Sequence, residues 1–132
     1  MATKPLFGKT PNTGTARSGA SAHITLLSLT GLTLLLTAGA SGAVVTEISC
    51  RPGATIAACP AYLYRSTDSG VTVAPVRSRT IAAGTVSTSL APADTDFGYS
   101  ESAPLRLRAS ERLYVGHATT VLVDWFAQGL DL

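Results

Sequence analysis

Charge is what this chain is shortest of. Asp, Glu, Lys and Arg together make up 14% of its 132 residues, against about a quarter in an ordinary soluble domain. Aromatic residues are sparse at 6%, with one tryptophan and one methionine. A surface so poor in charge has little to keep it solvated, which implies that part of it is covered by a partner. The chain holds two histidines, His23 and His117, too few for any site that gathers several imidazoles. Neither lies in a motif that joins a nucleophile to a base and an orienting group. In "GASGA" (39–43) the serine stands one position away from the G-x-S-x-G spacing, so the stretch reads as a turn. No phosphate-binding loop and no dinucleotide fingerprint occurs.

Metal chemistry is equally thin. Asp94-Thr95-Asp96 lacks the glycine and downstream glutamate of a calcium loop and reads as a polar turn. Cys50 and Cys59 are separated by eight residues, not by the roughly two to four of a zinc half-site. They form a disulfide in an oxidising compartment, or pack as small apolar thiols in a reducing one. These absences predict a protein that is not an enzyme and has no cofactor and no metal. His117, following Gly116 at a strand end, reads as a solvated or capping imidazole.

The charges present are unevenly placed. Lys4, Lys9 and Arg17 stand without an acid in residues 1–23, while residues 24–132 carry seven arginines against eight acids. Three cations neutralise too few phosphates to argue for nucleic acid. Residues 1–22 are rich in Gly, Pro, Ser, Thr and Ala, with Leu6 and Phe7 as their large apolar side chains. Such a segment buries too little to fold alone. It is expected to be either a disordered tail or an extended arm that orders on a neighbouring protein with Leu6-Phe7 as its anchor.

No charged residue occurs between Arg17 and Glu47, and the stretch "HITLLSLTGLTLLLTAGASGAVV" (23–45) has three readings. As a signal peptide it has a basic start and small residues in "TAGASGA", but the region before it is longer than a usual n-region. As a membrane helix it approaches the required length of about 20 residues only by including Gly39, Ser41 and Gly42. As strands, Leu-Ser-Leu-Thr and Leu-Thr-Leu alternate with period two, and the alternation changes phase at Thr30-Gly31, as at a bulge or tight turn. The strand reading is favoured, with two short strands or one kinked one.

The rest reads as short strands between turns. "AVVTEISCR" (43–51) ends at Pro52-Gly53. "AYLYRS" (61–66) runs into the turn "TDSG". In "VTVAPVRSRTIAA" (71–83), Pro75 marks an edge or a bulge. After a loop near residues 91–96 come 103–110, 111–118 and 119–129, the last placing Val121, Val123 and Trp125 on one face. Seven or eight strands without a helix predict an all-β chain, an antiparallel β-sandwich or jelly-roll-like single domain over residues 23–132. Arg77 and Arg79 are expected to share one strand face, and Arg106 and Arg108 another. Either these are solvated faces or they form an arginine patch for an acidic protein partner. Without interleaved aromatics they do not make a platform for single-stranded nucleic acid.

Two stretches carry a resemblance. "LLTAGASGAVVTEISCRPGATIAACPAYLYRSTDSG" and the closing "RLYVGHATTVLVDWFAQGLDL" resemble small β-rich virion proteins encoded among the head genes of tailed bacteriophages. Those proteins share a T-A-G-x-x-G strand, an "x-L-Y-R/L" strand before a turn, and a terminal "L-x-V-G … A-x-G-G-D". Leu130 here replaces the second glycine of that ending. The resemblance implies a virion structural protein, a capsid decoration or cement protein assembled in the bacterial cytoplasm, with reduced cysteines and no catalytic residues. Its expected partners are the major capsid protein, other virion proteins and further copies of itself, with no nucleic acid and no membrane. Lys4, Leu6, Phe7, Lys9, Arg17, Arg77, Arg79, Arg106 and Arg108 are the candidate contacts. The alternatives are a neck, spike or tail component, or an exported bacterial β-domain, an adhesin or ligand-binding module, with a cleaved signal peptide.

Overall fold

The computed structural model describes residues 10–19, 22–23, 26 and 28–132. They form nine strands: β1 (Thr10–Ser18), β2 (Thr33–Thr37), β3 (Ala43–Pro52), β4 (Cys59–Ser66), β5 (Ala74–Ile81), β6 (Thr95–Asp96), β7 (Leu105–Leu107), β8 (Arg112–His117) and β9 (Val123–Asp131). All pairings are antiparallel. One sheet runs β1-β9-β3-β6, with β7 also pairing β3, and the other runs β2-β8-β4-β5. The two sheets pack face to face as a β-sandwich. Among the described residues no helix is long and apolar enough to cross a membrane.

Alternation explains most strands. Along β9, Val123, Trp125, Ala127 and Gly129 are buried while Phe126, Gln128 and Leu130 are exposed, the period-two pattern of a half-buried strand. In β3 the pattern slips: Val45 and Ile48 both point inward, three residues apart, because the register with β9 shifts between Val45 and Glu47. A bulge there restores apolar residues to the core face. It also bends β3 over Gly129, where a Cβ would lie 2.4 Å from the Val44 carbonyl oxygen. The core joins Leu35, Leu36, Leu63, Ile81, Leu113 and Val115 of one sheet to Val45, Ile48, Val123 and Trp125 of the other. Phe97, just past β6, closes one side of it with its ring 5.3 Å from that of Trp125. Cys50 and Cys59 are buried free thiols. Burial pushes the Cys50 thiol up to about 12, so it stays protonated and packs as an apolar group.

The second half of the expected arm is extended, but its partner is its own chain. Residues 10–18 pair with β9 over nine positions, from Thr10 opposite Asp131 to Ser18 opposite Val123. Composition concealed this because the inward residues are Asn12, Gly14, Ala16 and Ser18. They are small because β1 lies against β2: a Cβ on Gly14 would sit 2.1 Å from the Leu35 carbonyl oxygen. The strand is ordered by a backbone ladder and close packing rather than by large apolar side chains. Lys4, Leu6, Phe7 and Lys9 lie outside the described residues.

In residues 23–45, β2 and the start of β3 are the strands. The expected phase change is a turn at Thr30-Gly31, with Gly31 at φ +80°. Before it, the described residues Leu26, Ser28 and Leu29 are turn, bend and irregular chain rather than strand. Pro75 lies on edge strand β5 at its register shift against β4, opposite Tyr64.

Gly14→Ala is expected to lower stability by about 1–3 kcal/mol through overpacking against the β2 backbone. Thr13→Ala, on the exposed face next to it, is expected to change it by less than about 0.5 kcal/mol. Urea unfolding of the two variants measures the difference, and equal midpoints would mean that β1 does not lie on β2.

Candidate functional site: a sealed histidine relay and an arginine flank

His117 is not solvated. It is buried at 1% exposure, as is Ser18, and the two are joined in a chain that crosses the interior. The Trp125 indole N–H donates to Ser18 Oγ at 2.8 Å. The Val121 carbonyl bonded to Nε2 can only accept, so in the neutral ring Nδ1 is the acceptor and the Ser18 hydroxyl donates to it, also at 2.8 Å. Nε2–H donates to the Val121 carbonyl at 2.5 Å. A serine bonded to a histidine is the beginning of a nucleophile-and-base pair. Here both are closed off from solvent and the third group is a backbone carbonyl, so the arrangement satisfies buried polar groups and ties β1, β8 and β9 together.

His23 covers the outer face of the four-stranded sheet. Its backbone N–H donates to the His117 carbonyl at 2.9 Å. Its Nδ1 pairs with the Thr30 carbonyl and its Nε2 with the Tyr64 hydroxyl, both at 2.8 Å. Because a carbonyl can only accept, Nδ1 carries the proton and Tyr64 donates to Nε2. Gly116 makes room for this cover, since a Cβ there would lie 2.8 Å from the Gly31 carbonyl oxygen. Beside it, Leu26, Tyr62, Pro75 and Val76 line an apolar groove of about 590 Å3 along the β4–β5 edge.

The other face of that edge carries the arginines. Arg77 and Arg79 stand opposite Leu63 and Ala61, two fully buried core residues, so their side chains lie on the core-facing side and reach out past the rim. Arg77 Nη1 donates to the Phe97 carbonyl at 2.7 Å, and its guanidinium sits 4.4 Å from the Tyr99 ring centroid. Arg79 reaches Gly98, whose Cβ position would be 3.1 Å from its Nη2. Charge pointing inward on an edge strand discourages pairing with another sheet. Here it also pins the 97–99 segment. Next along, Arg65 forms a two-pronged pair with Glu111, Nε to Oε2 at 2.6 Å and Nη2 to Oε1 at 2.8 Å. Glu111 is fully buried and also accepts the Arg108 backbone N–H at 2.9 Å.

The remaining sequence candidates are dispersed. Arg17 pairs with Asp124 on the exposed sheet face at 2.7 Å. Arg106 lies opposite Val44 on β3. Strand β7 ends at Leu107, so Arg108 does not continue the Arg106 face but borders a recess with Arg65. Asp94-Thr95-Asp96 is not a simple turn: Thr95 and Asp96 form β6, and Asp94 pairs with Arg51 at 2.7 Å. Among the described residues no three His, Cys, Asp or Glu side chains gather as a metal site. Sequence reasoning missed Arg65, Glu111, Ser18 and Tyr99. The "Y-L-Y" alternation of residues 62–64 was the available sign of an aromatic outer face.

No family model, no curated protein and no solved structure matches this chain.

Burial lowers the pKa of His117, and the bond to Val121 only partly offsets this. The unfolded chain, with an ordinary imidazole near 6.5, therefore binds a proton that the native state resists. The stabilisation is whole above about pH 6.5 and declines as pH falls from there toward the native-state value. The urea midpoint is expected to drop between about pH 7 and pH 5, with a shallower drop in His117→Gln. Equal slopes in the two proteins would contradict the buried neutral imidazole.

Proposed function

We propose that this chain is a non-enzymatic binding protein of a tailed-phage virion, a capsid decoration protein whose sandwich sits on the shell and contacts neighbouring copies. The observation that carries the reading is the pairing of a sealed interior with a specialised exterior. The Ser18–His117 pair is closed to substrates, while the β4–β5 edge presents an apolar groove on one side and an arginine flank on the other. The two motif-bearing stretches that resemble phage head proteins supply the rest of the support. They include most of β2, β3, β4, β8 and β9, and so much of both sheets.

A decoration protein works by area. A standard interface takes about 800 Å2 from each partner, roughly a tenth of the 7377 Å2 that this chain exposes. Apolar burial at about 25 cal/mol per Å2, repeated over many copies, would brace a shell against internal pressure. Shell protein and further copies of this chain are the proposed partners, and a reducing bacterial cytoplasm the proposed place of assembly. The buried free thiols are compatible with such a compartment.

Quantitative mass spectrometry of particles made by the phage whose genome carries this gene tests the reading. The chain is expected at a copy number comparable to that of the shell protein. On alkylation after denaturation without reductant it should take up two adducts, at Cys50 and Cys59. A few copies per particle would move it to the neck, tail or spike. Absence from particles, with a disulfide-linked form in the culture fluid, would favour the exported domain.

A further inference from the structure

Arg108 stands apart within the arginine flank. Arg77 is held by Phe97 and Tyr99, and Arg65 by Glu111. Among the described residues the Arg108 guanidinium has no acceptor, although its backbone is tied to Glu111. It borders a recess of about 230 Å3 together with Arg65, Thr67 and Thr72. We propose that this recess is an oxyanion site that takes a single phosphate group.

The donors converge from separate elements. Arg65 lies near the end of β4, Arg108 in the turn before β8 and Thr67 just past β4, while Thr72, whose N–H and hydroxyl are both given to Asp68, walls the recess. Glu111 uses the Nε–H and one Nη2–H of Arg65, and a guanidinium has five N–H donors. Three therefore remain, on a side chain already held in place by a buried carboxylate. Such an anchored fork loses little freedom when it binds. A planar carboxylate is satisfied by one fork, whereas two forks and a hydroxyl arriving from different directions suit a tetrahedral group.

Two acids bear on the site. Glu111 faces Arg65 from behind, and Asp68 accepts from Thr72 N–H, Thr72 Oγ1 and Ser66 Oγ. These bonds hold the Asp68 carboxyl down to about 2, so it is ionised at neutral pH, and the lone pairs of both acids are largely committed. The local charge is close to balanced. Selection therefore comes from aimed donors rather than from net field, and the expected Kd is on the order of 1 mM.

The test titrates the full chain with inorganic phosphate, phenyl phosphate and acetate at constant ionic strength, following backbone amide and arginine Nε–H resonances by NMR. Saturable shifts confined to Arg65, Thr67, Thr72 and Arg108 are expected with phosphate, and at least tenfold weaker binding with acetate. Equal binding of phenyl phosphate would identify a phosphate carried on a larger molecule as the ligand, and its exclusion would confine the site to the free ion. Arg108→Gln, an exposed substitution, is expected to weaken phosphate at least tenfold with no change in Tm, and Arg79→Gln to leave binding unchanged. A non-saturating response, equal affinity for acetate, or parental affinity in Arg108→Gln overturns the proposal.

Discussion

Strand β9 is the member on which the rest of this fold depends. It is the second strand of its sheet, with β1 on one side and β3 on the other, so a nine-residue alternation from Val123 to Asp131 sets the register of both neighbours at once. Its one tryptophan does two kinds of work. The ring packs in the core against Phe97, and the indole N–H begins the chain of bonds through Ser18 and His117 to Val121. An unpaired donor at that depth would carry a penalty of about 1–3 kcal/mol. The relay removes that penalty and binds the end of β1, drawn from the chain's beginning, to the β8–β9 turn near its end.

The surface features follow from how the sandwich closes its edges. On one side β1 lies against β2 with Gly14 at the contact, and Asn12 Nδ2 bonds both the Thr37 carbonyl and Asp131. On the other, β5 carries Pro75 and inward arginines. Arg65 and Glu111 complete that flank with an ion pair whose carboxylate is wholly buried. Such pairs contribute little net stability, because desolvation offsets the attraction. What the pair does show is position: among the described residues Glu111 is the acid that Arg65 meets, and the bond ties the end of β4 to the turn before β8. The same closure leaves the Leu26–Val76 groove on the outside and the Arg65–Arg108 recess at the rim. Both hollows are by-products of protecting an edge.

Alternation, turn residues and the lack of any helical stripe were enough to indicate an all-β antiparallel sandwich or jelly roll, and they located β3, β4 and β8 closely, because those signals are local, while the last strand, expected over 119–129, runs from Val123 to Asp131. Pro75, Thr30-Gly31 and the inward face of Val123 and Trp125 could be read from neighbours in the chain, whereas Val121, expected on the same face, precedes β9 in the turn, where its carbonyl meets His117. Tertiary structure alone decided the features that depend on contacts between distant residues. Strand β1 has no hydropathy pattern, since its inner residues must be small to lie on β2, and nothing near residues 10–18 indicates that their partner is residues 123–131. His117 looks like a solvated or capping imidazole at a strand end until Ser18, 99 positions earlier, closes over it. Arg65 and Glu111 are 46 positions apart, and Arg108 parts from Arg106 because β7 ends between them. Local periodicity reports which face of a strand is buried. It carries no information about which strand lies opposite, and every candidate site in this molecule is made where strands meet.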